Sequence, residues 1–201
     1  MMNLTFSKMK TDDNYEKIAE LIYKTDAYLY PDLFGSLENA KKIIPYLLDD
    51  HLSTMYRDYI YVAKNDGQII GVVSILPHSV EWDFNRIRLA YMEVGLTMNE
   101  SVYAVSDYFK EVFCKIGNGS NACNICVSEE YRNKGVGTFI LERVIQLAGK
   151  STIELSVLSH NEAAVKLYKK FGFVILGESY DYGGYNKPKV PCLSMARIGT
   201  I

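Results

Sequence analysis

Ile125-Cys126-Val127-Ser128-Glu129-Glu130-Tyr131-Arg132-Asn133-Lys134-Gly135-Val136-Gly137-Thr138 starts as an apolar strand, passes through polar residues and reaches two glycines one residue apart. Val136, Phe139, Ile140, Val144, Leu147 and Ala148 then recur at helical spacing, so the glycines open an amphipathic helix. Backbone N–H groups converge at such a turn without partners inside the helix, and the helix dipole adds partial positive charge. That combination suits a phosphate or pyrophosphate, and Arg132 and Lys134 stand where they can add charge-assisted hydrogen bonds. The competing explanation is an ordinary strand-to-helix turn whose glycines only relieve backbone strain. The turn by itself does not separate the two.

Outward from this stretch, the order is strand (Ala122–Val127), helix (Gly135–Lys150), strand (Thr152–Leu158), helix (Asn161–Phe171) and strand (Phe173–Tyr180), with a last strand at Cys192–Ile198. Strand–helix–strand alternation argues a parallel pairing across the crossover. Upstream, the β-rich runs Tyr59–Lys64 and Gln68–Leu76 flank Asn65-Asp66-Gly67, a hairpin signal. Asp12-Asp13-Asn14 can cap a helix over Tyr15–Thr25, and a second helix runs from Leu37 to Leu52, where Pro45 should start a new segment or kink the old one. Tyr28–Phe34 between them reads as an aromatic, Pro-containing loop. Arg86–Gly95 and Asn99–Ile116 fit helices, the second ended by Gly117-Asn118-Gly119, and together suggest a helical insertion at 80–118. No repeat or linker breaks the chain, so one domain over 1–201 is expected.

Composition narrows the classes. With 201 residues, 48% hydrophobic and 23% charged, the chain can bury a substantial core. A net charge of −2 supplies no basic field, so nucleic acid is not expected as a partner. The N-terminus lacks a charged and apolar signal pattern and no run approaches the roughly 20 apolar residues of a membrane span, so a cytoplasmic protein without a membrane partner is expected. Cys123 and Cys126 have the C-x-x-C form, but Cys114 and Cys192 are isolated and no second pair follows. Positions three apart in a regular strand face opposite sides, so the four cysteines are read as reduced packing residues and no metal is expected.

Arg132-Asn133-Lys134-Gly135-Val136-Gly137 resembles the [QR]-x-x-G-x-[GA] signature of the GNAT acetyltransferase superfamily. Asn161-Glu162-Ala163-Ala164-Val165-Lys166-Leu167-Tyr168-Lys169-Lys170-Phe171-Gly172-Phe173 resembles its second signature, N-x-x-A-x-x-L-Y-x-x-x-G-F. The hexapeptide alone is weak, whereas both elements in order make a strong match covering about 120–180. The resemblance implies an α/β fold of the α+β kind: a mixed, mostly antiparallel sheet with one parallel splayed pair, flanked by helices on both faces. It also implies acetyl-coenzyme A as cosubstrate, with no metal, and transfer of an acetyl group to a primary amine of a small molecule or peptide by direct attack in a ternary complex.

On this resemblance the pyrophosphate lies against Asn133, Lys134, Gly135, Val136, Gly137 and Thr138, beside Arg132. The pantetheine arm lies along Ile125, Cys126 and Val127, and the Val127 N–H stabilises the developing oxyanion. Asn161 contacts the coenzyme in the family and is, from its residue type alone, a good helix N-cap; the two roles can coexist. Tyr168 shares a helical face with Ala164, Leu167 and Phe171, which argues packing; the matching tyrosine of the family donates a proton to the departing thiolate. The family's early-strand glutamate falls on Asn121, which cannot act as a base, so Glu93 is taken first, with Glu81, Glu154 and His160 behind it and direct loss to solvent open. Glu154 is read as solvated, and Cys126 as packing rather than an acyl carrier. Tyr180, Tyr182 and Tyr185 with Gly183-Gly184 suggest a mobile aromatic wall of the acceptor cleft. Asn121 also keeps open a non-catalytic acyl-CoA-binding module. A dinucleotide-binding domain fits poorly, because the Gly-rich turn does not follow the first strand. A monomer or a homodimer is expected.

Overall fold

A computed structural model describes residues 2–77, 80–113 and 120–199. In chain order the elements are β1 (Leu4–Lys8), α1 (Tyr15–Tyr23), α2 (Leu29–Phe34), α3 (Leu37–Asp49), β2 (Ile60–Asn65), β3 (Gln68–Pro77), α4 (Phe84–Glu93), α5 (Glu100–Phe113), β4 (Ser120–Val127), α6 (Val136–Ala148), β5 (Ile153–Leu158), α7 (Glu162–Lys170), β6 (Val174–Asp181) and β7 (Val190–Arg197). The strands form one sheet in the order β1-β2-β3-β4-β5-β7-β6. Every pairing is antiparallel except β4 with β5, which is parallel. Helices cover both faces. Ile18, Ile22, Leu33, Phe34, Ile43 and Leu47 pack with Ile60, Val62 and Val72 on one side, and Val136, Ile140 and Val144 pack with Ala63, Ile70 and Val73 on the other.

Among the described residues the parallel pair joins only at Ser120↔Ile153 and Asn121↔Glu154, and the strands part beyond that point. A bulge in β4 accompanies the parting. Val72 faces Cys126 and Ser74 faces Cys123, so Asn124 and Ile125 both oppose Val73. Such an extra residue bends its strand and increases its twist. Asn124 adopts φ 52°, a left-handed conformation that asparagine tolerates better than most residues. Its Oδ1 accepts from Thr25 Oγ1 (3.2 Å) and the Tyr30 hydroxyl, and its Nδ2 donates to Ser74 Oγ at 3.1 Å. The bulge is thus bolted to α1, α2 and β3.

The bulge also overturns one expectation. The extra residue resets the alternation of β4, so Cys123 and Cys126 share the face turned toward α1–α3 instead of diverging. Among the described residues no group of three or more His, Cys, Asp or Glu is placed to hold a metal ion. Cys114 and the Gly117-Asn118-Gly119 stop lie outside the described residues. No helix among the described residues is long and apolar enough to cross a membrane.

Two further segments differ from the sequence reading. Residues 29–34 are a helix, not a loop: Asp26 Oδ1 accepts from the N–H groups of Tyr28 (2.7 Å) and Leu29 (2.8 Å), and Pro31 sits in the first turn, where its missing N–H is no loss. Pro45 lies inside α3 without ending it. A mid-helix proline costs about 3 kcal/mol or more. Ile43, Ile44, Leu47 and Leu48 are fully buried around it, at about 1.5–3 kcal/mol each, and that burial offsets the cost. The short edge strand β1, paired to β2 from Leu4↔Asn65 to Lys8↔Tyr61, carries too few residues to have declared itself.

Candidate active site

The Gly-rich turn keeps its donors free. Asn133 (φ 58°) and Gly135 (φ 86°) are both left-handed, and Gly135 starts α6 without any side-chain cap. The first bond into the helix is Phe139 N–H to Gly135 O at 3.0 Å, so the N–H groups of Val136, Gly137 and Thr138 have no partner among the described residues. Residues 132–135 are exposed, and a Cβ on Gly135 would touch nothing within 4 Å. The two flanking cations are partly engaged. Arg132 Nε donates to Val127 O at 3.3 Å, and the Lys134 ammonium lies 5.6 Å from the centre of the Tyr131 ring.

The end of β4 offers a second donor. Ser128 N–H bonds Ile70 O at 2.9 Å, and Gly71 faces Val127 in the same register. Antiparallel strands alternate bonded and unbonded pairs, so the N–H and C=O of Val127 point away from β3. The neighbour on that edge is β5, which has already diverged. Close packing holds this edge in place: a Cβ on Gly71 would fall 2.7 Å from Ile140 Cδ1 and 3.1 Å from Cys126 O.

A cleft of about 820 Å³ opens where the strands part. Ala122–Ile125 of β4, Glu154–Leu158 of β5 and Asn161, Ala164 and Tyr168 of α7 line one part of it. Asp26, Tyr30, Trp82, Tyr108, Phe109 and Asp181 line the rest. Tyr168 is 9% exposed, its ring packs 5.7 Å from that of Phe173, and its hydroxyl has no hydrogen-bond partner among the described residues. Burial pushes its pKa up to about 12, so it stays protonated through the neutral range. Asn161 caps α7 by accepting from Ala164 N–H at 3.2 Å and also borders the cleft.

Several expected residues fall elsewhere. Glu93 is exposed at the end of α4, beside Tyr46, and does not line the cleft; α4 turns its carboxylate outward because Ile87, Ala90 and Tyr91 take the buried face. Glu81 and His160 are exposed. Glu154, expected in solvent, is half-buried in the cleft wall at the fork of β4 and β5. The tyrosine loop is anchored rather than mobile: Asp32 Oδ2 accepts from the Tyr182 hydroxyl (2.9 Å) and Tyr185 N–H (2.5 Å), and the Tyr185 hydroxyl donates to Glu100 Oε2 at 2.6 Å. Gly183 is needed there, since a Cβ would fall 1.9 Å from Pro188 O. Burial raises the thiol pKa of Cys126 and raises that of Cys123 to about 12, so neither thiol is poised as a nucleophile.

Asp26 and Asn124 carry no role in the sequence reading, and Tyr30 and Tyr108 enter it only as members of the 28–34 loop and the 80–118 insertion. The aspartate just ahead of an apolar run was a legible cap signal; the others depend on tertiary pairing.

The same fold occurs in solved structures. An N-acetyltransferase from Staphylococcus aureus Mu50 matches with a TM-score of 0.70 and 18% identity, covering 96% of this chain and 99% of that one. An acetyltransferase of the GNAT family from Streptococcus pneumoniae matches with a TM-score of 0.56 and 21% identity, covering 98% and 100%. At these identities the likeness concerns the fold. Residues 27–173 match the Acetyltransferase (GNAT) family, and the chain belongs to that family. The L-amino acid N-acetyltransferase AaaT of Escherichia coli (strain K12) is 35% identical over 78 residues, 37% of this chain and 48% of that protein. An N-alpha-acetyltransferase of Sulfurisphaera tokodaii is 26% identical over 132 residues, 64% of this chain and 63% of that protein. The chain thus spans about half of the first relative's length and less than two thirds of the second's.

Proposed function

We propose that this protein is an N-acetyltransferase that moves the acetyl group of acetyl-coenzyme A onto a primary amine of a small molecule or peptide, by direct attack in a ternary complex. The observation that carries this reading is the parting of β4 from β5, which leaves the Val127 N–H on the open edge of β4, just past the residues Ala122–Ile125 that line the same cleft as Tyr168. Unpartnered N–H groups on Val136, Gly137 and Thr138 suit the pyrophosphate of the coenzyme, with Asn133, Lys134 and Gly135 shaping the turn and Arg132 beside it. Ile125, Cys126 and Val127 supply the edge for the pantetheine amides, and Asn161 borders the same space.

Acetyl-coenzyme A supplies the activated thioester; the residues of the chain do the rest. Val127 N–H stabilises charge on the carbonyl oxygen as the amine attacks. Tyr168 gives its proton to the departing sulfur, which its raised pKa keeps available. The test is calorimetry with acetyl-coenzyme A together with a thiol-release assay over a set of primary amines. Binding plus amine-dependent thiol release is expected. Binding without turnover on any amine would make the protein a coenzyme-binding module instead, and no binding would end the reading altogether.

A further inference from the structure

We propose that Asp26 is the group that holds the acceptor's ammonium and takes its proton before attack, an inference that rests on the acetyl-transfer reading above. The carboxylate borders the cleft from the loop between α1 and α2. Its Oδ1 is committed to two backbone donors, Tyr28 N–H and Leu29 N–H. Those bonds fix the plane of the carboxylate, and Oδ2 has no hydrogen bond among the described residues. Asp26 therefore presents one oriented, unpaired oxygen within a largely desolvated setting.

The titratable groups that line the cleft with it are Tyr30 on α2, Tyr108 on α5, Cys123 on β4, Glu154 on β5, Tyr168 on α7, Tyr180 and Asp181 on β6 and Lys189 after β6. Tyr30 spends its hydroxyl on Asn124. Asp181 is engaged at both oxygens: its Oδ1 accepts from the Tyr108 hydroxyl and from Tyr182 N–H at 2.8 Å, and its Oδ2 from Cys192 Sγ at 3.6 Å. Asp181 thus has neither oxygen without a partner, whereas Asp26 Oδ2 has none among the described residues, and the Asp181 charge adds to the field at Asp26. Burial and, to a smaller extent, that negative charge raise the pKa of Asp26 above its ordinary value, against the two backbone bonds. A carboxylate so shifted is a better match to proton removal near neutrality. Glu154 is the rival, on a longer side chain with no hydrogen bond among the described residues to orient it.

The ammonium gives its first proton to Asp26 Oδ2, which later releases it to solvent. The freed lone pair forms the N–C bond, the C–S bond breaks, and the sulfur takes the Tyr168 proton. The nitrogen's second proton restores Tyr168, leaving an amide, the free thiol and one proton in solution.

The experiment is a thiol-release pH profile of wild type, Asp26→Asn, Glu154→Gln and Asp181→Asn, using the best amine from a panel of alkylamines, arylalkylamines and diamines. Asparagine keeps the Oδ1 acceptor for both N–H groups, so the cap of α2 survives; melting curves check this. Asp26→Asn is expected to lower kcat/KM by about 10²-fold or more and to move the acid limb up toward the pKa of the free amine, with the affinity for acetyl-coenzyme A unchanged by calorimetry. Glu154→Gln and Asp181→Asn are expected to retain that limb. An Asp26→Asn enzyme that keeps its rate and its acid limb, or a limb so moved in Glu154→Gln, would overturn the assignment while leaving acetyl transfer intact. A wild-type protein that binds acetyl-coenzyme A yet acetylates no amine would sink the transfer reading and this proposal with it.

Discussion

Replacing Tyr168 with phenylalanine separates packing from chemistry, because the structure makes the two answers differ in size and kind. The substitution removes one oxygen from a side chain that is 9% exposed and whose hydroxyl bonds nothing among the described residues. No hydrogen bond is lost, and a desolvated hydroxyl disappears, so the melting temperature should hold or rise slightly. The ring remains against Phe173, so the affinity for acetyl-coenzyme A should change by less than about threefold, within roughly 0.7 kcal/mol. Turnover should fall. General acids contribute about 10²–10⁴-fold, and a thiol leaving group with a pKa of roughly 8.5 needs little help, so the low end applies. A drop of about 10²-fold in kcat corresponds to about 2.7 kcal/mol. Steady-state thiol release with the best amine, alongside calorimetry on the same preparations, measures both. With its pKa at about 12, wild-type Tyr168 should impose no basic limb below roughly pH 11. An unchanged kcat would refute the proton-donor role. An unchanged kcat with weakened coenzyme binding would show instead that the hydroxyl is a binding contact.

Gly135→Ala should cost about 1–2 kcal/mol through its left-handed backbone alone, since a Cβ there meets no neighbour, and should lower the melting temperature by about 2–8 °C. The same variant should weaken acetyl-coenzyme A in calorimetry, and unaltered melting and binding would count against the turn. Because the pKa of Asp26 is raised in the folded state, folding takes up protons there: stability from this group is present at low pH and is lost as pH rises through its pKa. Asp26→Asn should therefore leave wild-type stability unmatched at acid pH but equal or exceed it near neutrality, as denaturant titrations at both pH values would reveal. Asp26, Glu154 and Asp181 line the cleft against the single cation Lys189 among its described lining residues, so amines lacking a carboxylate beside the nitrogen should outperform the corresponding amino acids in kcat/KM. Equal rates would show that the acceptor's far end lies away from these charges.

Features set by neighbours in sequence were legible in it. The hairpin at Asn65-Asp66-Gly67 forms with Asp66 and Gly67 both at positive φ, as its residue types require. The Gly135 turn, the α6 stripe and the Asn161 cap are equally local, because a turn or a helix start depends on a few consecutive residues. From these the parallel pair and the fold followed.

Only the folded chain decided what stands opposite what. A bulge exists through its partner strand, so Asn124 is informative only once it faces Val73, and Cys123 and Cys126 changed their relation with it. Glu93 and Asp26 look equally eligible along the sequence, yet one points to solvent beside Tyr46 and the other into the cleft with Tyr168, 142 positions away. Periodicity and cap signals report bonding within a turn or two of chain, whereas an active site is assembled from loops whose meeting depends on the packing of the whole sheet.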